Sequence, residues 1–370
     1  MSWSAWACLV FFVAATLSAD DGGKLLRVDH YVSVKSTVPS IAGQDAQLYV
    51  REVVLAGTAL RGRVPADRVI LFVHGAGTPA EVAFDITYED YSWMAYLARA
   101  GYDVFAMDLT GYGRSTRPPA MNDPCNLSRE QQIALGRKEC APTHTKPLTS
   151  VASDWHEVDA AVDYVRNLRQ VERVHLAGWS MGGPRAGGYA AQHPEKVGRI
   201  ALLAPAYSPD APSGPPSQPA PAAAFNTQSH AEFIANWDRQ APCAEQYDSA
   251  ASRAIWDEML ASDPVGATWG TGVRRAPNFL NWGFNQSTVS KMKMPVLAVI
   301  GIHDKQVDPQ RVRQFYTDLG SSEKVLVELA CSSHSAMWER NRLLLFRASL
   351  EWFSKGTVNG ERQGVFKMGD

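Results

Sequence analysis

The sequence predicts an α/β fold with a doubly wound, mostly parallel sheet. Three observations carry that expectation: short apolar runs rich in β-branched residues, helical segments alternating with them, and one long stretch in which the alternation stops. The run Val69–Val73 is apolar at every position, as a strand buried on both faces must be. Residues 90–100 follow as a helix ended by Gly101, and residues 103–108 as the next strand. A long polar loop carrying Pro118, Pro119, Pro124 and Pro142 runs to about Thr149. Ser153 is placed to cap a helix reaching Val165. Residues 174–178 read as a strand, 182–192 as a helix and 197–203 as another strand. This order calls for crossover helices on both faces of a parallel sheet. Ahead of it, residues 28–35 and 46–54 read as antiparallel strands.

From Pro205 to about Met292 there is no buried-strand pattern. A Pro/Ala/Ser stretch is followed by two amphipathic segments, 231–239 and 252–260. Alternation resumes with a strand at 294–300, a helix at 309–319, a strand at 324–329 and a long helix at 337–353. An insertion between strands of one sheet is expected to be a helical lid over that sheet. The expected organisation is a signal peptide over 1–19, the first part of the core over 20–204, the lid over 205–292, the second part of the core over 293–355, and a frayed polar tail over 356–370.

The 370 residues suffice for one large domain with an insertion. A formal net charge of −2 leaves no broad basic field, which argues against a nucleic-acid partner. The apolar run over 5–17 has the length of a signal-peptide core and is too short to span a bilayer comfortably. Cleavage after Ala19 would give a secreted or periplasmic protein without a stable membrane span; an uncleaved anchor or a buried N-terminal helix is the alternative. Four cysteines would then remain, Cys125, Cys140, Cys243 and Cys331, with three possible pairings. Cys125 and Cys140 flank one loop and are expected to pair, which leaves Cys243 for Cys331. That second bridge would tie the lid to the loop of His334, and reducing it is expected to harm activity more than stability. Asn126-Leu127-Ser128 and Asn285-Gln286-Ser287 are glycosylation sequons.

The strongest motif is Gly178-Trp179-Ser180-Met181-Gly182, between a predicted strand and a predicted helix. A strand-to-helix turn this tight needs small flanking residues and projects its serine from the carboxyl end of the sheet, at a helix N-terminus. A serine hydroxyl is a weak nucleophile and needs a base. His334, in a polar loop after the last strand, is the candidate; His74, His156 and His175 are weaker ones. The base needs an orienting acid, and Asp304 leaves the end of its strand at the same sheet edge. Asp308 is the alternative, although its place before Pro309 suits a helix cap better. Acyl transfer also needs oxyanion donors. The backbone N–H groups of Met181 and Ala76 are the candidates, with Gly75 and Gly77 as flexible neighbours letting the backbone turn inward. Gly75, Gly77 and Trp179 are expected to meet the substrate.

Together, His74-Gly75, the Asp108-Leu-Thr-Gly111-Tyr-Gly113-Arg-Ser115 segment, the Ser180 turn, Asp304 and His334 resemble the α/β-hydrolase superfamily over residues 28–353. The resemblance implies an eight-stranded sheet with a lid after the sixth strand. It implies a two-step ester hydrolysis through an acyl-enzyme on Ser180, without a cofactor. No zinc-like Cys/His spacing, P-loop or dinucleotide fingerprint is present, so no cofactor or metal is expected. The same triad would also serve a C–C bond hydrolase, an acyltransferase or a perhydrolase. A non-enzymatic small-molecule binding protein on this fold is the reading from another class. Trp179, Trp269, Trp282 and Phe284 hint at a small-molecule substrate with an apolar or aromatic group, and core packing explains them equally well.

Overall fold

The computed structural model describes residues 23–59, 64–216, 223–270, 272–276 and 282–370. The proposed leader, 1–19, therefore lies outside the described residues. Two antiparallel strands, β1 (Leu25–Lys35) and β2 (Asp45–Leu55), lead into the sheet. The interior strands are β3 (Val69–Val73), β4 (Asp103–Met107), β5 (Val174–Trp179) and β6 (Val197–Leu203). β7 (Asn226–Gln228) and β8 (Val273–Arg275) form a separate antiparallel pair. β9 (Val296–Gly301), β10 (Lys324–Leu329) and β11 (Gln363–Met368) complete the large sheet. Its order is β1-β2-β4-β3-β5-β6-β9-β10-β11, parallel from β4 onwards. Every residue of β3, β4, β5 and β9 is buried, which is why those segments are almost wholly apolar, Asp103 and His175 being the polar exceptions.

Helices flank the sheet. Helices Trp93–Arg99 and Arg342–Lys355 are locked together where the Trp93 ring stacks on Phe346 and its Nε1 donates to Ser349 Oγ at 2.8 Å. The long helix Val151–Arg169 starts three residues earlier than expected. Ser150 is the cap and Ser153 closes the reciprocal box, each side chain accepting the other's backbone N–H.

The sheet has nine strands among the described residues, not eight. The ninth comes from the expected frayed tail, of which Gln363–Met368 pairs with β10. Glu351 makes this possible by accepting the backbone N–H groups of Asn359 and Gly360 and the Thr357 hydroxyl, folding the chain back after the helix. An edge strand with one wet face alternates in burial, so it reads as polar.

β6 and β9 are neighbours in the sheet, so the chain between them leaves and returns at one point. That insert carries helices His230–Asp238 and Ser249–Ser262, close to the two amphipathic segments expected. It also carries β7 and β8, three residues each and too short to leave an alternation pattern. The sulfurs of Cys125 and Cys140 are bonded, with Cα atoms 5.3 Å apart. Those of Cys243 and Cys331 are bonded as well, with Cα atoms 5.7 Å apart. Neither sequon asparagine is open to modification in this fold. Asn126 is fully buried, its amide donating to Ala120 and accepting from Thr143 and His144. Asn285 is buried as the cap of helix Gln286–Val289. Among the described residues no helix is long and apolar enough to cross a membrane.

Candidate active site

Ser180 sits directly after β5 with φ at 58°, the left-handed region that a non-glycine residue occupies only when its surroundings force it. The neighbours do the forcing. A Cβ on Gly178 would lie 2.6 Å from the Gly182 carbonyl oxygen, and one on Gly182 would lie 2.3 Å from the Val73 carbonyl oxygen. Both positions must lack a side chain for the turn to close against β3. A one-turn π-helix, Gly183–Gly187, then runs into helix Gly188–Gln192, so the expected single helix over 182–192 is split in two.

His334 is buried, and its Nδ1 lies 2.7 Å from Asp304 Oδ2. The other oxygen of Asp304 accepts the backbone N–H groups of Gln306 and Val307 at 2.7 and 2.8 Å. Asp304 is therefore fixed in orientation by its own loop. Asp308 is the cap of helix Pro309–Asp318, accepting from Gln310 N at 2.9 Å, and does not meet the histidine. Ser180 and His334 line one pocket of about 180 Å³, together with Ala76, Gly77 and Trp179.

The other histidines are spent elsewhere. His156 is exposed on its helix. His175 accepts from Arg199 N and donates to the Asp67 carbonyl, and burial pushes its pKa down to about 4. His74 accepts Leu109 N–H at Nε2 and donates from Nδ1 to the Gly75 carbonyl, and burial pushes it down to about 3. It is a neutral strut.

That strut belongs to a set of contacts that orients residues 74–76. Arg185 donates to the His74 and Gly75 carbonyls at 3.0 and 2.9 Å and to Asp154 Oδ2 at 2.8 Å. The Tyr112 hydroxyl donates to the Ala76 carbonyl at 2.6 Å. With these carbonyls engaged, the backbone N–H groups of Ala76 and Met181 donate to no described residue. Gly75 and Gly77 contribute space rather than left-handed backbone, since neither has positive φ. A Cβ on Gly75 would lie 3.0 Å from Ser180 Cβ.

Two residues hold the His334 loop. Trp179 Nε1 donates to the His334 carbonyl at 2.8 Å. Glu339, buried, accepts Ser333 N at 2.7 Å, the Ser333 hydroxyl, and Trp237 Nε1 of the insert at 2.8 Å. Burial raises the Glu339 pKa above the ordinary carboxylate range. The Asp108 segment plays a structural part. Its carboxylate accepts Ala80 N and Arg114 N, leaving no room for a Cβ at Gly113, and burial raises its pKa to about 6.

Of the aromatic residues expected at the substrate, Trp179 lines the pocket. Trp269 packs on Phe225 and Arg274, Trp282 on Trp155, and Phe284 against Tyr207 and Phe315 in the core. The pocket's apolar wall is instead Trp179, Phe233 and Trp338. Gln228, Asn236, Arg275 and Gln306 line the same pocket, so the site is more polar than the sequence led us to expect.

The supports of the site and the disulfide beside it lead to three expected outcomes. Arg185→Met removes the cation beside the buried Asp154 carboxylate, which should cost about 3–5 kcal/mol in urea unfolding. Arg185→Lys keeps the charge but lacks the planar fork that reaches two carbonyls and a carboxylate at once. It should fold and lose about tenfold in kcat, because small misplacements at a reacting centre are costly. The Cys243–Cys331 bond closes a loop of 88 residues, worth about 4.6 kcal/mol in the chain-entropy model. Trp179 and Glu339 hold His334 without it. The balance anticipated above therefore reverses: Cys243→Ser with Cys331→Ser should lower the urea midpoint markedly and kcat only a few-fold. A kcat loss exceeding the stability loss would restore the original expectation.

A large parallel sheet flanked by helices, with a serine on a strained strand-to-helix turn and a His–Asp pair at the same pocket, defines a hydrolase of the α/β type. The sequence profile described as the alpha/beta hydrolase fold matches residues 68–341, and the chain belongs to that family. Among curated proteins it is similar to the poly(3-hydroxyalkanoate) polymerase subunit PhaC of Haloferax mediterranei, at 24% identity over 236 residues. That match covers 55% of this chain and about half (48%) of the polymerase subunit. Among solved structures it is similar to a serine hydrolase involved in carbazole degradation, the CarC enzyme, at 15% identity and a TM-score of 0.51, covering 89% of this chain and 99% of that one. It is similar to a thermophilic esterase from Thermogutta terrifontis at 13% identity and a TM-score of 0.51, covering 88% and 98%. A serine hydrolase of the polyaromatic-hydrocarbon-degrading Cycloclasticus zankles gives 14% and 0.51, covering 88% and 98%. At these identities the structural likenesses establish the fold.

Proposed function

We propose that the chain is a serine hydrolase that cleaves carboxylic esters of small molecules through an acyl-enzyme. The observation that carries this reading is the 2.7 Å contact from His334 Nδ1 to Asp304 Oδ2 at a pocket shared with Ser180. In the proposed reaction Ser180 Oγ attacks the ester carbonyl while His334 takes its proton. The tetrahedral oxyanion is received by the Met181 and Ala76 N–H groups, and their lack of protein acceptors supports that role. His334 returns the proton to the leaving alcohol. It then activates water to release the acid, and Asp304 holds the imidazole tautomer throughout.

The insert over 205–292 acts as the lid, supported by the wall it supplies from Gln228, Phe233, Asn236 and Arg275. The two disulfides support maturation in an oxidising compartment, and with it the leader over 1–19. The test is turnover of short-chain esters by purified protein, together with covalent labelling by a fluorophosphonate probe. Absence of both would end the reading.

A further inference from the structure

Two adjacent arginines of β8 have opposite surroundings. Arg274 is paired, its Nη2 lying 2.6 Å and its Nε 3.0 Å from the two oxygens of buried Asp263. Arg275 points the other way, into the pocket of Ser180 and His334. Its Nε donates to Asn226 Oδ1 at 3.0 Å and its Nη1 to Gln228 Oε1 at 3.1 Å. Both acceptors are neutral amides. They orient the guanidinium without neutralising it, and Nη2 donates to no described residue.

Among the described residues no carboxylate lies within ion-pair distance of Arg275, although Arg117 and Arg274 both reach Asp263. Glu232 on helix His230–Asp238 adds a favourable field from farther off, but its carboxylate is engaged by Ser229 N at 2.7 Å and Ser229 Oγ at 2.9 Å. The residues of the insert outside the described set, 217–222, 271 and 277–281, include no Asp or Glu. Arg275 is half-buried at the pocket, and partial burial pulls its guanidinium below its ordinary pKa. Such a charge is costly unless something anionic arrives to meet it. The guanidinium also lies directly over the loop carrying Ala76, since a Cβ on Gly77 would be 2.9 Å from Nη1.

We propose that Arg275 is a specificity residue that binds a carboxylate on the substrate, so that the preferred ester is an acidic one with a carboxylate a few bonds from the scissile carbonyl. The proposal rests on the ester-hydrolase reading above. The small pocket volume sets the scale: about 180 Å³ compares with cavities of about 150 Å³ that hold a benzene ring, so the acidic group must be close to the ester. Trp179, Phe233 and Trp338 would pack the short chain between them. Charge-assisted hydrogen bonds to a planar guanidinium favour a carboxylate over a neutral amide of the same shape.

The experiment compares monomethyl glutarate with its neutral amide isostere, methyl glutaramate, in the wild-type enzyme and in Arg275→Gln and Arg275→Lys. The expected wild-type preference in kcat/KM for the acid is roughly ten- to a hundredfold at low salt. Arg275→Gln should bring that ratio to within about twofold of one, chiefly through KM for the acid, and Arg275→Lys should keep part of it. Equal handling of the two esters by the wild-type enzyme would overturn the proposal. So would a fall of both by the same factor in Arg275→Gln, which would mean that Arg275 serves the oxyanion common to both. A calorimetric titration with glutarate separates this result from failure of the hydrolase reading. If no ester is turned over and no probe labels Ser180, glutarate binding to wild type that is lost in Arg275→Gln still supports the anion site, and no binding to wild type removes it.

Discussion

Replacing Ser180 with alanine is expected to lower kcat on any ester the enzyme accepts by about 10⁴-fold or more, with the fold intact. The geometry makes the effect large and local. The hydroxyl is the sole part of the side chain removed, and it makes no hydrogen bond to any described residue that the fold would miss. The turn is closed by the contacts of Gly178 and Gly182 with backbone oxygens, and these are indifferent to what residue 180 carries. Alanine inherits the same φ of 58° and the same strain, so urea unfolding should move by no more than about 1 kcal/mol. What survives in the variant is an intact pocket with two available N–H donors, which is why some acceleration over water should persist. The check is paired. Ester turnover and fluorophosphonate labelling should vanish together, while circular dichroism and the unfolding midpoint stay in place. Labelling that persists in Ser180→Ala would place the nucleophile elsewhere.

The legible parts of this protein are those in which one physical requirement fixes residue type. Strands buried on both faces must be largely apolar, so β3, β4, β5 and β9 stood out as runs despite Asp103 and His175. A turn without room for a Cβ must carry glycine, so residues 178–182 stood out as well. The preference for Asp304 over Asp308 came from distance to a strand end and from the proline after Asp308; in the structure Asp304 contacts His334 and Asp308 caps its helix. Elements set by tertiary partners were not legible. β11 looks polar because one of its faces is wet, and it exists because Glu351 bends the chain back onto β10. β7 and β8 are too short for any period. The supports of the site were missed for the same reason. Arg185 carried one faint signal, a charged residue in a Gly/Ala-rich segment beside the nucleophile. Glu339 and Arg275 carried none: one is defined by Ser333 and Trp237, the other by what it does not face.

Asp304→Asn should cost about 10⁴-fold in kcat, and Asp308→Asn should leave kcat within about twofold. Both changes remove one formal charge from the same short loop, so a general electrostatic effect would treat them alike. The hydrogen bonds predict otherwise. Asp304 Oδ1 accepts two backbone N–H groups, from Gln306 and Val307, while Oδ2 accepts from His334 Nδ1. An asparagine at 304 has one oxygen to offer. If its amide NH₂ turned toward Gln306 and Val307, donor would face donor twice, so the oxygen must stay with the backbone and the NH₂ must face the imidazole. His334 then becomes the acceptor at Nδ1 and carries its proton on Nε2. In that tautomer it has no lone pair at Nε2 with which to take a proton from a serine. The loop's own backbone thus enforces the wrong tautomer, and the fold need not change for activity to be lost. At position 308 the side chain caps helix Pro309–Asp318 through an oxygen that asparagine also has, and asparagine caps as well as aspartate. The measurement is kcat for both variants on one ester, with the imidazole tautomer of His334 read by nitrogen NMR. A larger loss at 308 than at 304, or an unchanged tautomer in an inactive Asp304→Asn, would move the orienting role away from Asp304.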